Sequence, residues 1–190
     1  MDLLKNQQKD KFVIDIVEAN KFAMIIVLPI ILVFGIPYYL VWKQELGAIL
    51  QNFINDTSIS VPIFIFLFTF LGIIAHELIH GVVWAIFAEK GFKSISFGVI
   101  WKLLTPYCHC DEPLKVKHYI LGAVMPGLIL GILPAVIAII IGNFGLLIFG
   151  IFFTQAASGD FMIINLLKKE NMDDYVEDHP SEAGCYIYRE

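Results

Sequence analysis

Long uncharged stretches are the feature that most constrains what this chain can fold into. Residues 22–42 contain no charged side chain, and Asp160 is the single one between residues 119 and 167. A helix crosses the apolar core of a bilayer with about 20 such residues. The chain is also 58% hydrophobic and only 16% charged. Together these features predict an integral membrane protein.

The apolar stretches divide into about four transmembrane helices, near residues 22–42, 61–88, 119–141 and 144–167. Glycines beside Asn143 indicate the break between the last two. The predicted fold class is an all-α membrane protein, with an N-terminal segment over 1–21 and a tail over 168–190. Residues 1–21 are either a polar leader or a helix on the membrane surface, because four apolar residues share one helical face. These are Phe12, Val13, Ile16 and Val17.

Basic residues indicate how the helices are oriented. Of the 13 lysines and arginines, Lys43 is the only one outside three regions: the N-terminal segment, the interval between helices two and three, and the tail. The positive-inside rule therefore predicts a multi-pass cell-membrane protein, bacterial in type, with both termini cytoplasmic. In the middle interval, apolar residues alternate with polar ones from Ile95 to Trp101, which favours a small cytoplasmic β-hairpin over residues 92–110.

The motif that carries chemistry is His76-Glu77-Leu78-Ile79-His80 in the second predicted helix. Histidines four residues apart lie on one helical face, so both imidazoles can bind one Zn²⁺. Glu77 is placed to act as a general base rather than as a ligand. The alternative is that these polar residues form hydrogen bonds between helices, although three of them in a membrane helix are costly without a function.

Asp160 is the candidate third metal ligand, since it is the lone charge of the last two helices. With helices two and four running in the same direction, its depth in the bilayer matches that of His76. Small residues on the expected contact faces would allow a close approach of the two helices. These are Gly72, Ala156 and Ala157. The alternative for Asp160 is an ion pair with a lysine such as Lys168.

Other polar side chains have two interpretations each. Four residues of helix four could line a water path to the metal or could form hydrogen bonds between helices: Thr154, Gln155, Ser158 and Asn165. Cys108-His109-Cys110 could form a second metal site, but three consecutive residues chelate one ion poorly, which favours an ordinary strand or loop. The net charge of −5 argues against nucleic-acid partners.

Several segments together resemble the site-2 protease class of intramembrane zinc metalloproteases, and more closely a family of small four-helix bacterial membrane proteins regarded as zincins. They are HELIH at 76–80, PYCHCDEPL at 106–114, the Met125-Pro126-Gly127 segment, Ser158-Gly159-Asp160 and DHPSEAGCYIY at 178–188. The resemblance implies a zinc reached from the cytosol and a β-element beside it. In site-2 proteases the third ligand, an aspartate, usually lies in a Leu-Asp-Gly sequence, whereas here Gly159 precedes Asp160 and Phe161 follows it.

The predicted function is that of a zinc metalloendopeptidase within the lipid bilayer. His76, His80 and Asp160 would hold one Zn²⁺ per chain, and Glu77 would act as general base on the zinc-bound water. A membrane-embedded or membrane-proximal peptide substrate would be extended by strand addition along residues 94–101. The alternatives are a non-catalytic membrane zinc protein that binds or regulates partners, and a metal or solute transporter. Residues 184–188 could pair with the hairpin edge and occlude the site.

Overall fold

A computed structural model of the chain describes residues 8–55, 60–101, 105–179 and 184–189. The described chain is mostly helical with small antiparallel sheets. Within these residues, three helices are long and apolar enough to cross a membrane, and a bent pair adds a fourth if it counts as one span. The length and composition of these helices confirm the prediction of a multi-pass helical membrane protein.

The candidate spans are built from six helices. Helix α1 covers Ile16–Trp42 and α3 covers Ser60–Phe87. The next span joins α4, Val116–Pro126, through a π-helical segment, Gly127–Ile132, to α5, Leu133–Ile141. The last comprises α6, Phe144–Ala156, and α7, Ser158–Leu167, which are bent by 44°. Large apolar side chains are exposed along α1, α3 and α5, as expected for lipid-facing helices.

Local geometry explains where the last helices begin and end. Gly142 ends α5 with a left-handed φ of 73°, which a glycine adopts without steric cost. Asn143 then caps α6, because its side chain accepts the Leu146 N–H at 2.9 Å. Ala157 leaves the helical conformation between α6 and α7. Asp160 therefore lies in the first turn of a new helix rather than within one continuous helix over 144–167.

The segments outside the spans differ from the sequence predictions. Helix α2, Leu46–Asn55, occupies part of a predicted loop. Strand β1, Gln8–Val13, replaces the proposed surface helix over Phe12 and Val13, because its backbone pairs with residues 184–189 of the tail. The tail forms β5, Tyr175–Asp178, and β6, Gly184–Arg189. Strand β6 pairs with β1 and β5, so the proposed pairing of residues 184–188 with the hairpin edge is wrong.

Two antiparallel sheets are present in the described residues. The larger has the order β1-β6-β5-β4, where β4 is Leu114–Lys115. Its register runs from Gln8 opposite Arg189 to Val13 opposite Gly184. The smaller sheet pairs β2, Ile95–Ile100, with β3, Thr105–Cys110. The termini thus contribute a sheet that no local pattern had predicted.

The described chain divides into two compact units, each with its own apolar core. In one unit, the terminal sheet packs with β3, the C-terminal part of α3 and the start of α4. Its buried residues are Trp84, Cys110, Leu114, Val116, Tyr119, Leu167, Val176, Cys185 and Ile187. In the other, α1 packs with α5 and α6 around Ile30, Phe34, Tyr38, Ala135, Ala138 and Leu147.

We expect Gly150→Ala to destabilise the second of these units. A Cβ at Gly150 would lie 2.5 Å from the backbone nitrogen of Ala135 and 2.8 Å from its Cα, so α5 and α6 would have to separate. Overpacking of this kind costs about 1–3 kcal/mol. Thermal unfolding in detergent measures the loss. Gly47→Ala is the matched control, because a Cβ there meets nothing within 4 Å; equal melting temperatures for both variants would contradict the prediction.

Candidate metal centre

Helix α3 places the two motif histidines on one buried face. His76 is 8% exposed and His80 is 4% exposed, although both carry polar rings. The apolar part of α3 runs over Ile65–Phe87, so His76 lies 11 residues from either end of it. At ~1.5 Å per residue, this is about 16 Å from each end of the apolar segment. Two buried histidines at this depth require a specific partner.

Asp160 supplies that partner from the first turn of α7. Its Oδ1 lies 3.3 Å from His80 Nε2, and its side chain is 21% exposed. One ligand atom from each of His76, His80 and Asp160 lies within 4.8 Å of the other two. This spacing suits three donors that converge on a single cation. The predicted ligand residues are thus near one another, while their role stays a prediction.

The hydrogen bond on the far side of His80 determines which ring nitrogen is available to a metal. His80 Nδ1 lies 2.9 Å from the Gly122 carbonyl oxygen. A carbonyl oxygen can only accept, so Nδ1 carries the hydrogen and, in the neutral ring, the lone pair is on Nε2. That lone pair is directed towards a carboxylate oxygen, an arrangement that a cation between them would stabilise. The residues present therefore fit a His₂-carboxylate zinc site.

Glu77 is half-buried and lies on a different face of α3 from the histidines. Gly81 is one turn further along this face, and a Cβ there would lie 2.6 Å from the Phe97 ring and 3.0 Å from Ile95. Strand β2 thus packs directly against α3 beside Glu77. The charge of Glu77 also acts on Cys108 of β3. The candidate general base consequently faces the hairpin.

The surroundings of the three cysteines do not favour a nucleophilic thiolate. Burial, reinforced by the charges of Glu77 and Asp178, raises the pKa of Cys108. Burial likewise raises the pKa of Cys110 to about 11 and that of Cys185 to about 12. All three are therefore protonated thiols near neutral pH. Among the residues described, Cys108, His109 and Cys110 form no group of three potential ligands, which favours the strand interpretation.

A stack of three aromatic rings extends from α3 and was not anticipated from the sequence. The His80 ring stacks on Trp84 at 5.1 Å between centroids, and Trp84 stacks on Tyr119 at 5.0 Å. Trp84 Nε1 donates to the Tyr119 carbonyl oxygen at 3.1 Å. The spacing of His80 and Trp84 on one helical face was the only available sequence signal. Tyr119 becomes their neighbour through tertiary packing.

Two of the four other polar residues of the last span, Thr154 and Gln155, form hydrogen bonds in the structure. Thr154 donates its hydroxyl hydrogen to the Gly150 carbonyl oxygen of its own helix at 2.8 Å. Gln155 Nε2 donates to the Ala23 carbonyl oxygen of α1 at 2.7 Å. These contacts favour the hydrogen-bonding interpretation over a water path for these two residues.

The small-residue faces also differ from expectation. A Cβ at Gly72 would collide with the Phe153 ring, 2.6 Å from its Cε2, so the space at Gly72 accommodates an aromatic side chain. Ala157 is buried, whereas Ala156 is exposed and cannot serve as a contact residue. Close packing on this side of α3 is therefore between a glycine and a phenylalanine.

An H-E-x-x-H motif on an apolar helix, with a carboxylate beside its second histidine, defines a membrane protein with a zincin-type site. The comparison with known families agrees: the chain belongs to the family described as "Putative zincin peptidase", whose model matches residues 69–175. The match includes all three candidate ligands and Glu77. Neither a curated protein nor a solved structure matches the chain significantly.

Proposed function

We propose that the protein is an intramembrane zinc-dependent endopeptidase of the site-2 protease type. The observation that carries the proposal is the convergence of His76, His80 and Asp160 midway along an apolar helix, with Glu77 between the two histidines in sequence. A structural zinc site would need the three ligands but not an adjacent general base. Membership in the zincin peptidase family supports the same reaction class.

Each residue has a defined task in the proposed hydrolysis. His76, His80 and Asp160 hold the metal. A Zn²⁺ held there would supply Lewis acidity toward a water molecule and the scissile carbonyl. Glu77 accepts a proton from the attacking water and later delivers it to the amide nitrogen as the C–N bond breaks. The Gly122 carbonyl oxygen keeps the hydrogen of His80 on Nδ1, so that Nε2 remains a donor to the metal.

The substrates proposed are membrane-embedded or membrane-proximal peptides that have become locally extended. Strand β2 supports this proposal because it packs against α3 beside Glu77, and its one partner strand among the described residues is β3. A peptide paired along residues 94–101 would expose its carbonyl groups, which a helical peptide keeps hydrogen-bonded. The hairpin thus provides a surface for strand addition near the base.

The terminal sheet supports the proposed orientation. Strands β1, β6, β5 and β4 come from before α1, after α7 and between α3 and α4. Strands that pair in one sheet lie on the same side of a bilayer, so both termini would share a side with the middle interval. An even number of crossings is then required, which favours counting α6 and α7 as the fourth. Because that side holds most of the basic residues, it is assigned to the cytoplasm.

Cleavage by the reconstituted protein tests this function. The full chain would be placed in proteoliposomes with a single-span probe peptide that contains a helix-breaking Gly-Pro pair, and the fragments would be identified by mass spectrometry. We expect cleavage that stops after chelation and returns when Zn²⁺ is added back. Stoichiometric zinc without cleavage of any probe would favour the non-catalytic alternative, and metal flux into the liposomes would favour the transporter.

A further inference from the structure

Strand β5 of the tail contributes a buried carboxylate, Asp178, that several hydrogen-bond donors surround. The Asp178 side chain is 10% exposed. It accepts the Tyr119 hydroxyl on Oδ1 and the Cys110 backbone N–H on Oδ2 at 2.8 Å. His109 Nδ1 lies 3.6 Å from the same Oδ2. A carboxylate this buried is tolerated only because such donors surround it.

One of these hydrogen bonds leads to the metal ligand. Tyr119 is the last ring of the stack that begins at His80 and passes through Trp84. One turn of α4 supplies a hydrogen-bond acceptor to each of the two α3 rings. The Tyr119 carbonyl oxygen accepts from Trp84 Nε1, and the Gly122 carbonyl oxygen accepts from His80 Nδ1. By fixing the Tyr119 hydroxyl, Asp178 determines where this turn lies against α3.

The other hydrogen bond leads to the hairpin. Cys110 is the last residue of β3 and lies opposite Ile95 of β2. Ile95 and Phe97 are the residues that Gly81 meets, one helical turn after Glu77. The bond from the Cys110 N–H therefore holds the end of the hairpin nearest α3. A single carboxylate thus joins the ligand stack and the strand beside the general base.

We propose that Asp178 is a positioning residue of the metal centre, which sets both the orientation of His80 through Tyr119 and Trp84 and the placement of the hairpin through Cys110. This inference rests on the proposed zinc site and extends it to the C-terminal tail, beyond the residues that the family model matches. The tail is accordingly part of the active centre. A residue that only stabilised the fold would leave the metal ligands unaffected once the protein had folded.

The rate of metal release distinguishes these roles. Asp178→Asn keeps the shape of the side chain but replaces one acceptor by an amide NH₂, so the Tyr119 hydroxyl or the Cys110 N–H loses its acceptor. Tyr119→Phe removes only the hydroxyl and keeps the ring stack. The matched control is Asp173→Asn in the same tail, where the carboxylate binds Lys115 and Lys117 at the surface.

The purified full-length protein would be loaded with Zn²⁺ or Co²⁺ and mixed with a chelator. We expect about tenfold faster release from Asp178→Asn and from Tyr119→Phe, a changed visible spectrum for their Co²⁺ forms, and wild-type behaviour for Asp173→Asn. A double variant that releases metal no faster than the faster single variant would assign the effect to the Tyr119 connection, and a further increase would show that the Cys110 connection also contributes. If Asp178→Asn does not fold, Tyr119→Phe decides the question alone.

The outcomes separate this inference from the proposed function. Wild-type release rates in Tyr119→Phe and in any folded Asp178→Asn would overturn the positioning role while leaving the zinc site intact. A wild-type chain that binds no metal would overturn both. A wild-type chain that binds metal but cleaves no probe would overturn the peptidase alone, and the release rates would still decide the role of Asp178.

Discussion

Glu77→Gln is expected to abolish peptide cleavage while the protein still binds one zinc. The substitution preserves the size of the side chain but replaces the basic carboxylate by a neutral amide. A positioned general base contributes about 10²–10⁴-fold to turnover, and we expect a loss in this range. The three proposed ligands, His76, His80 and Asp160, remain in place. Fragment yield from the single-span probe and zinc per chain would be measured on the same preparation.

Glu89→Gln provides the matched control for this result. Glu89 is exposed and follows the last turn of α3, so the same chemical change there should leave turnover unchanged. Retained turnover in Glu77→Gln would exclude the general-base role even if zinc is essential. Loss of zinc in Glu77→Gln would instead show that the carboxylate belongs to the ligand set, contrary to the proposed division of tasks.

Asp160→Asn is expected to weaken metal binding more than any change outside the ligand set. The carboxylate oxygen 3.3 Å from His80 Nε2 would become a neutral amide group, which is a poor ligand for Zn²⁺. Substitution of a residue that hydrogen-bonds to a metal ligand typically costs about 10–100-fold in metal affinity. Loss of a direct ligand should therefore cost ~10²-fold or more. His76→Ala should behave similarly. Zinc per chain and competition with a calibrated chelator would establish the loss.

Asp111→Asn is the control for the aspartate substitution. Asp111 is a half-exposed residue outside the spans that lies 3.2 Å from His109 Nε2, so it reproduces an aspartate–histidine contact without the proposed metal. Its variant should bind zinc as the wild type does. Full zinc occupancy in Asp160→Asn would show that the site uses other ligands and would remove the argument for joining α3 and α7 through a metal.

Much of the membrane architecture could be predicted from local sequence. Charge-free stretches of about 20 residues specify spanning helices, because a bilayer allows no unpaired backbone groups. An i, i+4 spacing likewise places His76 and His80 on one face of any helix that contains them. Asp160 was a candidate ligand because charges are rare in such segments. Each of these signals depends only on residues close together in sequence, or on how a single residue type is solvated in a bilayer.

The bend before Asp160 could not be predicted in the same way. Residues 144–167 carry no charge except that of Asp160, and no proline interrupts them. Ala157, where α6 ends, is an excellent helix former. Ala157 is fully buried, so the bend is a feature of the folded chain that this residue type does not signal.

By itself, the sequence determined the class of the protein, its apolar helices and the residue types able to bind a metal, since periodicity and solvent preference act over a few residues. Only the tertiary structure decided that β1 pairs with β6 across the length of the chain. It also decided that Tyr119 stacks on Trp84 and donates its hydroxyl to Asp178 of the tail. Such contacts depend on which buried surfaces fit together, and residues distant in sequence carry no periodic pattern that identifies their partners.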